Sequence, residues 1–152
     1  MLQQRLEGIA ASFDERELTI GETRFTINKL LPMDGFRVME KIRVAVGKSM
    51  RSVETGDTPS TALVSVLLSL PEETIAQIKT ILFGAVTFTN QNAHTPRGLA
   101  RDEAMAFQGL EPVHVYEVLA RCLAVNFTQS FVEITSRMAA IAPDSPSQNI
   151  ET

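Results

Sequence analysis

The segment from Leu18 to Met50 constrains the fold more than any other part of this chain. Residues of alternating character flank a turn at positions 20–23, which predicts a β-hairpin. The residues on its inward side are Leu18, Ile20, Phe25 and Ile27. Pro32 follows where a helix tolerates proline, because the first turn offers no partner for the missing N–H. The segment therefore predicts an antiparallel hairpin that leads directly into a helix.

The helix after Pro32 is amphipathic, with apolar residues at intervals of three and four. These residues are Met33, Phe36, Met39, Ile42, Val46 and Met50. We expect the middle of this stripe to be buried in the core. The predicted contacts join Phe36, Met39, Ile42 and Val46 to Ile75, Ile78, Leu119 and Leu123. A loss below about 1 kcal/mol on truncation of Phe36 would instead assign the stripe to a binding surface.

Helical periodicity also predicts most of the remaining secondary structure. The further helices are expected over residues 2–13, 61–70, 71–83 and 112–141. Val86–Thr89 is short and β-prone and is a candidate third strand, since an isolated hairpin is only marginally stable. Residues 90–98 are expected to form a loop. The pattern predicts an α+β fold, mainly α-helical, with a small N-terminal antiparallel β-hairpin.

The length of 152 residues and the 44% hydrophobic content predict a single domain with a core of its own. We expect this domain to cover residues 1–142, with a disordered tail at 143–152 and a turn-rich linker at 52–60. A helix from Pro112 to Ile141 would span about 45 Å. It must either break near Asn126, where its apolar stripe shifts phase, or extend beyond the core.

Several classes of function are disfavoured by composition. The net charge of −4 argues against nucleic-acid binding. The sequence has neither a membrane-spanning run nor a signal sequence, and we therefore expect the protein in the cytoplasm. Cys122 is interpreted as a buried apolar residue, and His94 and His114 lack metal-ligand spacing. No nucleotide-binding or nucleophile motif is present. We therefore expect neither catalysis, nor a metal, nor a cofactor.

One stretch of this acidic chain is basic. Residues 29–51 carry +4 and the remainder carries −8. Arg37, Lys41, Arg43 and Lys48 could form a basic face that recognises an acidic partner. The favoured interpretation is the solvated side of an amphipathic helix.

The order of these elements resembles the phage tail assembly chaperone family. The resemblance rests on TIGETRFTINKLLPMDGFRVMEKIRVAVGKSM, on FGAVTF, and on AFQGLEPVHVYEVLARCLAVNF, and it covers most of the chain from Leu18 to Phe131. Glu22 departs from the pattern, because a second glycine would suit the hairpin turn there.

The resemblance implies a small host-cytoplasmic protein of a tailed phage or prophage. It would bind and solubilise the tape-measure protein until tail-tube subunits polymerise, and it would be absent from the mature virion. The tail-tube protein and a second copy of the chain are further candidate partners. The alternative function is a minor structural or tail-completion protein of the virion.

The candidate client-binding residues lie on the last helix, beyond the phase shift at Asn126. They are Phe127, Phe131, Ile134 and Met138. Aromatic anchors usually dominate such interfaces, so the two phenylalanines are the first choice. The alternative of similar weight is that both phenylalanines fill the core.

Overall fold

The structure, a computed structural model, describes residues 2–46 and 59–141, with side chains for 2–45 and 60–128. Within these residues it contains six helices and four strands. The helices are α1 (Leu2–Ala11), α2 (Pro32–Val46), α3 (Pro59–Ser69), α4 (Glu72–Phe83), α5 (Glu103–Ala106) and α6 (Pro112–Ile141). The strands are β1 (Glu17–Ile20), β2 (Thr23–Ile27), β3 (Val86–Asn90) and β4 (Ala93–Gly98).

The strands form one antiparallel sheet in the order β1-β2-β3-β4. The candidate third strand is confirmed as β3, which pairs with β2. The prediction of a single N-terminal hairpin is wrong, because part of the expected loop at 90–98 forms β4 and makes a second hairpin with β3. The signal for β4 is weak for a physical reason. Only Ala93 is buried in this strand, so the apolar alternation is missing. Pro96 is tolerated because an edge strand needs no donor on its outer side.

The N-terminal hairpin itself is confirmed. Its two-residue turn is possible because Gly21 adopts a positive φ of 59°. Ile20, Phe25 and Ile27 are buried, and Leu18 is half-buried. Phe25 lies opposite Phe88 of β3, so the two hairpins share one apolar face. This face packs against the helices and closes one side of the core.

Helix α6 is the centre of the core, since α1, α3 and α4 all pack against it. It continues unbroken through Asn126, which excludes a break there, the first of the two alternatives left open by the sequence. The Asn126 side chain accepts the N–H of Leu30 at 2.8 Å and donates to the carbonyl of Cys122 at 2.9 Å. The shift in the apolar stripe therefore marks the point where the connection between β2 and α2 docks on α6.

The predicted inner side of α2 is wrong. Phe36 is 59% exposed and Met39 37% exposed, whereas Val38 is fully buried and Ile42 is half-buried. Helix α2 packs mainly against α4, and of the expected core partners Ile78, Leu119 and Leu123 are buried and Ile75 is half-buried. The helix carries apolar residues on two sides, and periodicity alone selected the outer one.

Several predictions fall partly or wholly outside the described residues, among them the following three. The linker at 52–60 overlaps the described part only at Pro59 and Ser60, which begin α3. The tail at 143–152 and the side chain of Val46 are not described. The domain boundaries stay a prediction.

Candidate protein-binding surfaces

The outer side of α2 exposes large apolar residues to solvent. Leu31 is 72% exposed, Met33 67%, Phe36 59% and Val44 71%. Helical spacing places Met33, Phe36 and Val44 on one side of α2, and Leu31 lies just before its first residue. We call these four residues the α2 apolar face. Several large, exposed apolar residues on one side of a helix are characteristic of an interaction site.

The orientation of α2 follows from its small residues. Gly35 lies toward α6, where a β-carbon at this position would be 3.7 Å from Cε1 of Phe127. Val38 and Ala45 lie on the same side and pack against the core. Since the small side chains permit close approach, the larger Met33 and Phe36 are left on the outer side.

Two charged pairs lie beside and between the residues of the α2 apolar face. Arg43 donates to Glu40 at 2.9 Å, and this hydrogen bond lowers the pKa of the Glu40 carboxyl. Arg37 lies 3.7 Å from Asp34. Apolar residues and solvated polar groups occur together in protein interfaces.

The residues of the predicted basic face are placed differently from one another. Arg37 and Arg43 are exposed, but each has an acidic neighbour on α2. Lys41 is half-buried and donates to Gln77 of α4 at 3.5 Å. Lys48 lies outside the described residues. The basic face stays a prediction, on a surface of mixed charge.

The predicted client-binding residues divide into two groups. Phe127 is only 7% exposed and belongs to the core cluster, as the alternative interpretation of this residue expected. The side chains of Phe131, Ile134 and Met138 lie outside the described residues, although their backbone belongs to α6. Client contact at these three positions stays a prediction.

A second surface feature is a cleft of about 460 Å³ between α1, β1 and the first turns of α6. Its lining is mostly apolar and includes Ile9, Leu18, Ile20 and Leu110. Four polar side chains also line it, namely Arg5, Thr19, His114 and Glu117. Sequence reasoning missed this cleft, because its members come from three distant segments and no spacing connects them.

Glu117 is the unusual member of the cleft, since it is only 2% exposed. Its Oε2 lies 2.8 Å from Nε of Arg5, yet the oxygen accepts no hydrogen bond among the described residues. The two groups form an ion pair whose N–H is not directed at the oxygen. Nδ1 of His114 accepts the N–H of Glu111 at 2.9 Å and so closes the start of α6.

The described residues also settle where the other reactive groups lie. Cys122 is buried as expected, and burial raises the pKa of its thiol. His94 is exposed on β4. In the described part of the chain, no group of His, Cys, Asp and Glu is arranged to hold a metal ion. None of its helices is both long and apolar enough to cross a membrane.

Exposed apolar residues on one side of a helix, with charged pairs among them, are typical of proteins that act by binding other proteins. The comparison with family models agrees with this class. The chain belongs to the phage tail assembly chaperone family, whose model, described as phage tail assembly chaperone protein, TAC, matches residues 21–139. The resemblance seen in the sequence is thereby confirmed. No curated protein and no solved structure matches the chain significantly.

Membership of the family fixes the general role. The chain is a tail assembly chaperone, which implies tail proteins as partners and suggests a non-enzymatic function.

Proposed function

We propose that this chain binds the tape-measure protein through the α2 apolar face. Binding keeps apolar helical surfaces of the client from aggregating in the host cytoplasm until the tail tube polymerises around it. The observation that carries the proposal is the exposure of Leu31, Met33, Phe36 and Val44, each at 59% or more. The fold leaves these side chains in water although it buries smaller ones on the same helix.

The physical argument concerns the free energy of burial. A large apolar side chain that moves from water into an interface contributes about 1.5–3 kcal/mol. Three such residues on α2, with Leu31 just before it, can therefore hold an apolar face of a client helix, as amphipathic helices are held in other complexes. The surrounding pairs at Glu40–Arg43 and Asp34–Arg37 remain solvated and set the orientation of the client rather than its affinity.

The C-terminal part of α6 is the proposed extension of this surface. Gly35 faces Phe127, so the first turn of α2 lies beside α6 where the predicted client-binding segment begins. Helix α6 continues from there to Ile141. Phe131, Ile134 and Met138 are proposed as further contacts within this segment.

Co-expression with an aggregation-prone tape-measure fragment tests the proposal. The double variant Met33→Ser plus Phe36→Ser should leave the chaperone folded, because both side chains are exposed in the free protein. It should leave most of the fragment in the pellet. Leu68→Ser is the matched control, since Leu68 is a 40% exposed apolar residue on α3. This control should keep the fragment soluble.

Two results would overturn the proposal. One is a double variant that folds and solubilises the fragment as well as the unsubstituted protein does. The other is a Leu68→Ser control that loses activity to the same degree. Mass spectrometry of purified virions tests the proposed place of action, because a chaperone should be missing there. Stoichiometric presence would favour the alternative of a minor structural or tail-completion protein.

A further inference from the structure

Strand β1 is an edge of the sheet and borders the cleft at Glu117. The two-residue turn makes Ile20 and Thr23 a hydrogen-bonded pair. Hydrogen-bonded and non-hydrogen-bonded pairs alternate along β1 and β2. The bond from the N–H of Ile27 to the carbonyl of Arg16 at 2.7 Å confirms this alternation. Glu17 and Thr19 therefore direct their backbone groups away from β2, toward the open edge.

Part of this edge is already occupied. The carbonyl of Glu17 accepts a hydrogen bond from Arg121 at 3.2 Å. The N–H and carbonyl of Thr19 have no hydrogen-bond partner among residues 2–46 and 59–141. Exposed backbone groups on a short edge can pair with an added strand.

The cleft beside this edge has space for a side chain of an added strand. Its volume of about 460 Å³ falls within the usual range for ligand sites, and Leu18, Ile20 and Leu110 supply apolar walls. Oε2 of Glu117 lies in the lining, almost fully buried, 2.8 Å from Nε of Arg5 but with no N–H directed at it. A buried carboxylate oxygen favours a donor, above all a cationic one.

The rim of the cleft carries acidic residues, which have the same negative charge as Glu117. Glu17, Glu22 and Glu111 are exposed and directly follow or precede lining residues in the sequence. In the described part of the chain none of the three forms a salt bridge. Two cations also lie here, namely Arg5, whose side chain is 60% exposed, and Arg121, whose guanidinium is held by the carbonyls of Glu15 and Glu17. The combined field therefore favours a basic occupant.

We propose that this cleft binds an extended, basic segment of a partner protein, which adds a strand to β1 and places a Lys or Arg side chain beside Glu117. The backbone of Thr19 supplies the pairing, the apolar walls hold the aliphatic part of the side chain, and Glu117 receives its charge. This site is separate from the α2 apolar face and does not depend on the tape-measure proposal.

The test uses the full chain and a fluorescent heptapeptide of alternating valine and threonine with a central lysine. A peptide with glutamate at the centre is the matched probe. Fluorescence anisotropy should show that the lysine peptide binds at least about tenfold more tightly, as expected for one charge-assisted hydrogen bond. Amide NMR shifts on binding should centre on Glu17 and Thr19.

Two variants separate the parts of the proposal. Thr19→Pro removes an outward N–H that the hairpin does not use, so it should abolish binding and leave the fold intact. Glu117→Gln keeps the size of the side chain and should remove the preference for lysine. Glu73→Gln, an exposed position on α4, is the control and should bind like the unsubstituted protein.

Equal affinity for the lysine and glutamate peptides would overturn the proposal, and this comparison stays decisive even if Glu117→Gln fails to fold. NMR shifts confined to α2 would overturn it as well. So would concentration-dependent dimerisation that Thr19→Pro abolishes, because the occupant of the edge would then be a second copy of the chain.

Discussion

Arg121→Met should loosen the attachment of the N-terminal segment to α6. The Arg121 side chain is 4% exposed and donates to the carbonyl of Ile9 at 2.8 Å and to that of Glu15 at 2.7 Å. A third, longer bond reaches the carbonyl of Glu17. One guanidinium therefore holds the end of α1, the following turn and the start of β1 in place.

The expected change in the free energy of unfolding results from two opposing effects. Hydrogen bonds to a charged group contribute roughly 1.5–3 kcal/mol each, and three carbonyls lose their donor. Burial of the guanidinium acts against this gain, as shown by the lowering of the Arg121 pKa through desolvation. Methionine keeps much of the packing of the side chain. We expect a net loss of about 3 kcal/mol, a large part of the stability of a typical domain.

Urea denaturation gives the free energy of unfolding, and native-state hydrogen exchange locates the change. Protection should fall most in α1 and β1, and less in α4 and β3. Arg101→Met is the matched control, because Arg101 is exposed, and it should change stability by less than about 0.5 kcal/mol. A loss below about 1 kcal/mol for Arg121→Met, or loosening spread evenly over the protein, would refute the reasoning.

Three further substitutions or reactions test the packing around α6. Phe127→Ala should lower the free energy of unfolding by about 3–5 kcal/mol in urea titrations, since the ring is buried; a loss below about 1 kcal/mol would remove it from the core. Asn126→Ala should cost about 1–3 kcal/mol, because the N–H of Leu30 loses its acceptor; an unchanged denaturation midpoint would contradict this. Burial raises the pKa of the Cys122 thiol and so disfavours the reactive thiolate. A disulfide reagent should therefore react with Cys122 in urea and not in the native protein. Rapid labelling of the native protein at pH 8 would contradict this prediction.

The sequence contained enough information for the helices and the first hairpin. Pro32 and Pro112 mark the first residues of α2 and α6, where proline costs no hydrogen bond. Pro71 was expected to begin a helix and instead caps it, one residue before α4. Strand β4 could not be predicted, because only Ala93 of this strand is buried and its sequence therefore has no apolar alternation.

The candidate surfaces were predictable only in part. The stripe through Met33 and Phe36 was recognised, but its direction depends on Gly35 and Val38, whose small size decides which side meets α6 and α4. Hydrophobic residues count equally in a periodicity argument whether they face the core or water. The cleft at Glu117 depends on contacts between α1, β1 and α6, which no local pattern records.

Site-specific photocrosslinking tests the central claim most directly. A benzoylphenylalanine at position 36 reports what lies against the α2 apolar face while the tape-measure protein is being produced, and the same group at position 68 is the control on α3. We expect a crosslink to the tape-measure protein from position 36 and little or none from position 68. Crosslinking that is equal from both positions, or that occurs only from position 68, would contradict the claim that the α2 apolar face binds this client.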